Sequence, residues 1–275
     1  MIATLGDVLA PAQQEGSALP GLVVLGWEDA LAFVRAGEAE GRAVILQAGP
    51  GCRQHTPLPI LGAMFRHLAE TVSVPVVAHL DHSTDIAECE AAIAAGFSSV
   101  MFDGSRLSLD DNIACTRAVV EMAHAKGVAV EGEVGFVGYD EGEASARTTP
   151  QEAERFATDT GVDAMAVSVG NVHLQKGPQA EIDLAAVAAI EAVTDVPLVL
   201  HGGSGIPPDM RRHLARNTAV CKFNVGTELR QVFGASLRAG LAAHPERFDR
   251  VAILSEVIAP MTEATRRLLA ELAPA

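Results

Sequence analysis

Lysine is nearly absent from this chain of 275 residues. Only Lys126, Lys176 and Lys222 occur among 20 lysines and arginines, so an imine-forming mechanism has three residues to draw on. Positive charge is short altogether, since 35 Asp and Glu leave a formal net charge of −15. A surface of that sign repels a phosphate backbone, which excludes nucleic acid as a partner. A small anionic substrate is still allowed, because local N–H groups or a metal ion can outweigh the global charge. Cys52, Cys89, Cys115 and Cys221 are scattered with no CxxC pair, as expected of reduced packing cysteines in a cytoplasmic protein. No uncharged apolar run approaches the ~18 residues of a membrane span. The N-terminus lacks the basic start and apolar stretch of a secretion signal. No Pro/Gly/Ser linker or low-complexity segment interrupts the chain, so residues 1–275 are expected to form one domain.

What is present is an alternation of short apolar runs and longer helical patterns. Strands are expected near 22–25, 43–48, 74–80, 98–102, 128–134, 164–169, 197–200 and 219–225. Helices are expected near 28–39, 57–71, 84–95, 108–125, 150–160, 183–193, 207–216 and 227–242. Strands that are apolar throughout are buried on both faces, as in a parallel sheet covered by helices. Eight βα units in this length predict an α/β fold, a (β/α)8 barrel, in preference to an open doubly wound sheet. The tail 244–275 reads as an added helical extension beyond the eighth unit.

Polar residues collect where these strands end, on the rim that carries the active site in such barrels. His82, His173 and His201 each follow an apolar run, in VPVVAHLDHSTD, AMAVSVGNVH and PLVLHGGSG. Three imidazoles at matching strand ends predict one catalytic zinc with an open coordination position. Asp81, beside His82, cannot easily reach the ring of its own neighbour, which favours proton transfer over orienting that ligand. Glu131 and Glu133 share one side of the fifth strand, and two carboxylates inside a barrel require a cation. The stretch after them is Gly-rich and acidic, and is expected to form either a lid carrying Asp140, Glu141 and Glu143 or a solvated loop. HGGSGIPPDMRRHL and KFNVGTELR each lead from a strand through small residues into a helix start, where free N–H groups bind anions. Loops after strands seven and eight are the frequent phosphate grip of such barrels.

In order, HLDHSTD, SVMFDGS, VEGEVG, AVSVGNVH, HGGSG and KFNVGTELR resemble the motifs of the class II, zinc-dependent ketose-bisphosphate aldolases. The resemblance covers roughly residues 40–235. It implies a (β/α)8 barrel, dimeric or tetrameric, that reversibly cleaves a ketose phosphate to dihydroxyacetone phosphate and an aldehyde. By it His82, His173 and His201 hold zinc, Glu133 falls on a position that ligates zinc in some members, and Asp81 handles the proton of the aldehyde-derived oxygen. Glu141 falls where some members place a lid carboxylate that moves the carbon-bound proton, while Asp103 and Glu131 resemble ligand-orienting or auxiliary-cation positions. Gln47, Gly170, Lys176, Gly202, Gly203, Ser204, Asn224, Gly226 and Thr227 are the implied substrate and phosphate contacts, with a monovalent cation beside them.

The departures cluster around the substrate. Leu174 replaces the glycine that usually follows the third-motif histidine, Gly26 and Trp27 replace Phe-Asn, and Gly49 replaces a small hydroxyl residue. The family's C-terminal Gly-Ser tail is missing. These leave open which ketose is cleaved, including a non-bisphosphate or otherwise anionic one. Three rivals stand beside this reading: a Schiff-base aldolase on Lys222, another metal-dependent barrel enzyme, and a non-catalytic sugar-phosphate binder.

Overall fold

The computed structural model describes residues 1–139, 142 and 144–275. In chain order it runs β1 (Ile2–Ala3), α1 (Leu5–Gln14), β2 (Leu19–Val23), α2 (Trp27–Glu40), β3 (Val44–Ala48), α3 (Pro50–His55), α4 (Leu58–Glu70) and β4 (Val76–Ser83). Then come α5 (Ile86–Ala94), β5 (Ser99–Phe102), α6 (Leu109–His124), β6 (Ala129–Val134), α7 (Pro150–Thr160), β7 (Ala164–Val167), α8 (Leu184–Glu191) and β8 (Leu198–Leu200). A short 3₁₀ turn (Gly203–Gly205), α9 (Pro208–Asn217), β9 (Val220–Val225), α10 (Thr227–Ala243), α11 (Arg250–Ser255) and α12 (Ile258–Glu271) complete it. Strands β2 to β9 pair in parallel, and the β4–β5 and β2–β9 pairings close them into the expected (β/α)8 barrel.

Three elements escape the sequence reading: β1, α1 and α3. Thr4 and Asp7 form a capping box that starts α1, and Leu5, Val8, Leu9 and Ala12 share one face of it. That face meets Leu19, Ile45, Val77, Ala129, Ala164, Ala166 and Val199, closing the barrel at the N-terminal ends of its strands. The tail forms the expected helical extension, as α11 and α12. In α12, Met261, Leu268 and Leu269 are buried, and the helix packs on α2, where Ala30, Phe33 and Val34 are buried in turn. The rest of the core lies between strands and outer helices, around Phe33, Phe65, Phe97, Phe156 and Phe223.

Inside the barrel, polarity rises toward the other end. Above the apolar floor lie Gln47, His79, Ser99, Glu131 and Lys222, all fully buried. His79 Nδ1 lies 2.9 Å from Ser99 Oγ, and Lys222 donates to Glu131 Oε2 and to Asn224 Oδ1, each at 2.7 Å. Buried charges are retained only when paired in this manner. This layer forms the floor of an open mouth. Among the described residues, no helix is long and apolar enough to cross a membrane.

Candidate active site

His82 and Asp81 both serve the mouth because strand β4 is irregular. Between Leu80 and Ser83 its register against β5 slips by one residue, and His82 takes φ +51°, in the left-handed region. A regular strand sends consecutive side chains to opposite faces, whereas a bulge re-aims one of them. The strained turn is held from outside by Arg53 of α3. Its guanidinium donates to the carbonyls of Ala48 (2.7 Å), Asp81 (2.6 Å) and His82 (3.2 Å), and pairs with Glu88 of α5 at 2.8 Å.

His173 follows β7 and is fixed by its N–H donating to Gly138 O at 2.8 Å, with Tyr139 stacked on its ring at 5.1 Å. His201 follows β8. Here Gly202 sits at φ +66°, and a Cβ on it would lie 2.0 Å from Val172 O, so only glycine lets the two loops approach. The three rings converge, with centroids 4.5 Å apart for His82–His201, 5.1 Å for His82–His173 and 5.4 Å for His173–His201. One ligand nitrogen from each lies within 4.8 Å of the others, and His82, Asp103 and Glu133 form a second such set.

Hydrogen bonds settle which atoms face inward. His82 Nδ1 lies 2.7 Å from Asp103 Oδ2, which makes it the donor to that carboxylate. His201 Nε2 donates likewise to Glu131 Oε1 at 3.0 Å, which leaves Nδ1 with its lone pair. That Nδ1 has no hydrogen-bond partner although buried. Neither has Glu133 Oε2, 3.4 Å away. Two buried polar atoms face each other with no hydrogen bond between them, an arrangement that a cation would satisfy.

Burial, reinforced by the neighbouring imidazoles, pushes His173 down to about 2 and His201 well below its usual range, so both rings are neutral at neutral pH. Burial opposes the charged form of His82 as well, but Asp81, Asp103 and Glu133 outweigh it and push that ring up to about 10. Burial, with Asp103 adding repulsion, pushes Glu133 up to about 8. Asp103 is held well below the usual carboxylate range, the hydrogen bond and charge of His82 overcoming its burial.

A cleft of about 600 Å³ opens over this centre. Of the residues singled out in the sequence, Asp81, His82, Asp103, His173, Gly202, Ser204, Asn224, Gly226 and Thr227 line it. Asp81 Oδ1 accepts from Asn224 Nδ2 at 3.2 Å. Glu131, Glu133 and Lys222 lie beneath it, all buried. Gln47 is also below the cleft, fully buried with both amide atoms lacking partners, and Gly170 lies away from it, pressed against Glu181 O. Lys176 borders a smaller adjoining chamber with Ser204 and Thr227. Glu141, with Asp140 and Glu143, lies outside the described residues.

Arg53, Tyr139, Arg106, Arg211 and Arg230 escape sequence reasoning. Arg106 and Arg230 line the cleft. Arg211, almost fully buried, donates to Gly203 O at 3.1 Å and pairs with Glu228 and Glu271, tying the turn at Gly203–Gly205 to α10 and α12. A lone arginine on a helix carries no sign of such a role in a single sequence.

The family model described as "Fructose-bisphosphate aldolase class-II" matches residues 3–274. The 6-phospho-5-dehydro-2-deoxy-D-gluconate aldolase of Shouchella clausii is 36% identical over 269 residues, which is 95% of this chain and 90% of that protein. The crystal structure of the YdjI aldolase from Escherichia coli K12 superimposes with a TM-score of 0.86 at 25% identity, over 100% of this chain and 98% of the other. The fructose-bisphosphate aldolase of Campylobacter jejuni shares the fold, with a TM-score of 0.81 at 22% identity over 98% and 95% of the two chains.

Proposed function

This chain belongs to the class II fructose-bisphosphate aldolase family, and on that footing we propose that it reversibly cleaves a ketose phosphate into dihydroxyacetone phosphate and an aldehyde, using one zinc ion. His82, His173 and His201 would hold the zinc, with Glu133 within reach. The observation that carries this reading is the orphaned pair His201 Nδ1 and Glu133 Oε2, buried beside two further imidazoles. When bound, zinc supplies a Lewis acid for the substrate's ketone oxygen.

The remaining work falls to the chain. Gly202 to Ser204 and Gly226 to Thr227 present a turn and a helix start, where free N–H groups take the phosphate. Asp81, steadied by Asn224, accepts the C4 hydroxyl proton as the C3–C4 bond breaks and the C4 oxygen becomes a carbonyl. The bonding pair passes toward the ketone, and C3 then takes a proton, which we assign to Glu141. Lys222 is fully enclosed beneath the cleft and paired with Glu131, which disfavours a Schiff base.

A second reading concerns the aldehyde. The Shouchella clausii relative is named for a substrate with a carboxylate at C1, a ketone at C5 and a phosphate at C6. Aldol cleavage next to such a ketone yields dihydroxyacetone phosphate and a three-carbon 3-oxo acid. An acidic aldehyde half therefore competes with a phosphorylated one here. Assembly as a homodimer or homotetramer in the cytoplasm belongs to the same proposal.

The test is metal removal. Dialysis against a chelator should abolish retro-aldol turnover, and zinc should restore it. Borohydride with dihydroxyacetone phosphate should trap no lysine adduct. Activity that survives chelation, together with a trapped Lys222, would overturn the zinc mechanism, and a zinc-loaded protein without turnover would favour the sugar-phosphate binder.

A further inference from the structure

The order of strands around the barrel gives the cleft two ends. In the closed ring β9 lies four strands from β5 by either route, and β8 lies four from β4. The phosphate-type loops follow β8 and β9, so a substrate reaching across the imidazoles arrives at the loops after β4 and β5. The end of β4 and those loops hold Asp81, Thr84, Asp103 and Arg106.

Two guanidinium groups line the cleft among its described residues, and they divide between its ends. Arg230 stands in the first turn of α10, so close to Gly226 that a Cβ there would lie 2.7 Å from its Nη2. It belongs to the phosphate end. Arg106 lies opposite, in the turn that Leu107 N–H closes on Gly104 O at 2.9 Å. Asp103 fixes that turn relative to the metal ligands, since it accepts from Ser105 N–H (3.1 Å), Ser105 Oγ (2.6 Å) and the ring of His82 (2.7 Å). The guanidinium carbon sits 4.4 Å from the centre of the Phe136 ring. The cation thus lies over the aromatic ring, and a guanidinium carries the forked N–H geometry that matches a carboxylate. Phe102, Leu107 and Phe136 make the surrounding wall apolar, which strengthens a charge pair there. The same end also carries Asp81 and Asp103, and a chain of net charge −15 repels an anionic aldehyde without a local cation.

We propose that Arg106 is the specificity residue for the aldehyde half, binding a carboxylate two carbons from the reacting carbonyl, so that the preferred aldehyde is a short 3-oxo acid. This rests on the aldolase reading above. It places the reaction downstream of a step that makes a phosphorylated keto acid, and upstream of one that consumes the 3-oxo acid.

The experiment condenses dihydroxyacetone phosphate with 3-oxopropanoate and with propanal, a neutral aldehyde of the same carbon count, on the zinc-loaded enzyme. Wild type should favour the charged aldehyde in kcat/KM. Arg106→Met should lower the ratio of the two values about 10- to 100-fold, the worth of a charge-assisted hydrogen bond. Arg106→Lys should restore part of that ratio, because it keeps the charge but loses the fork. A ratio unchanged in Arg106→Met, or one that collapses instead in Arg230→Met, would overturn the assignment. Exchange of the carbon-bound protons of dihydroxyacetone phosphate with solvent, followed in wild type without any aldehyde, isolates the underlying reading. Wild type lacking exchange would remove the aldolase reading and this proposal with it, whereas exchange with no charge preference would sink the Arg106 assignment alone.

Discussion

Asp81 is the residue on which the proposed chemistry turns, and its surroundings separate that role from metal binding. The carboxylate hydrogen-bonds Asn224, while the His82 ring is steered by Asp103 and its backbone by Arg53. Asp81→Ala should therefore leave the imidazoles in place. Turnover should fall about 10²- to 10⁴-fold, the range for a positioned acid or base, with zinc content near one per chain. Kinetics and metal analysis on the same preparation check this, and zinc lost together with Asp81 would assign it to the metal instead. At this scale the histidines were legible because each falls at or soon after the end of an apolar run, a pattern visible in one dimension. The bulge that turns Asp81 and His82 to the same space was not. It depends on the register between β4 and β5, a non-local property. Leu174 is a related surprise, since it occupies the left-handed region at φ +59°, which favours glycine. A bulky side chain there costs roughly 1–2 kcal/mol.

At the scale of elements, α3 and α5 matter more than their length suggests. The six-residue α3 supplies Arg53, and α5 supplies Glu88 from its first turn. Glu88 pairs with Arg53 at 2.8 and 2.9 Å and accepts from Ser83 Oγ at 2.7 Å. Burial raises its pKa, but the Arg53 and Ser83 hydrogen bonds outweigh that and leave it lowered. A carboxyl lowered on folding adds stability above its unfolded value near 4.5, and that gain is lost as pH falls through the folded value. Glu88→Gln should cost about 1–2 kcal/mol at pH 7, the scale of hydrogen bonds to a charged group discounted for partial exposure. Thermal unfolding of both proteins from pH 3 to 8 should show the gap in Tm closing as pH falls below 4.5 and the wild-type carboxyl protonates. A gap independent of pH would mean the pair contributes by shape alone. The long helices and strands were readable from periodicity, whereas α3 was hidden because six residues show less than two turns of any pattern.

Taken whole, the molecule separates stability from chemistry along the barrel axis. One end is closed by α1, whose Leu5, Val8, Leu9 and Ala12 rest on an apolar floor, and the other opens over the imidazoles. Between them lies the layer of His79, Ser99, Glu131 and Lys222, joined by its own hydrogen bonds. Cavities made at the floor should thus be felt in folding and not at the mouth, because the paired polar layer holds its own geometry. Leu9 is fully buried there. Leu9→Ala should cost about 2–5 kcal/mol in denaturant unfolding, the transfer term plus the cavity left behind. Zinc affinity and kcat/KM, measured well below the lowered Tm, should stay within about threefold of wild type, since well-separated sites act additively. A large loss of zinc affinity in this variant would mean that the floor and the metal centre are coupled through the polar layer, and that the barrel transmits packing changes along its whole axis.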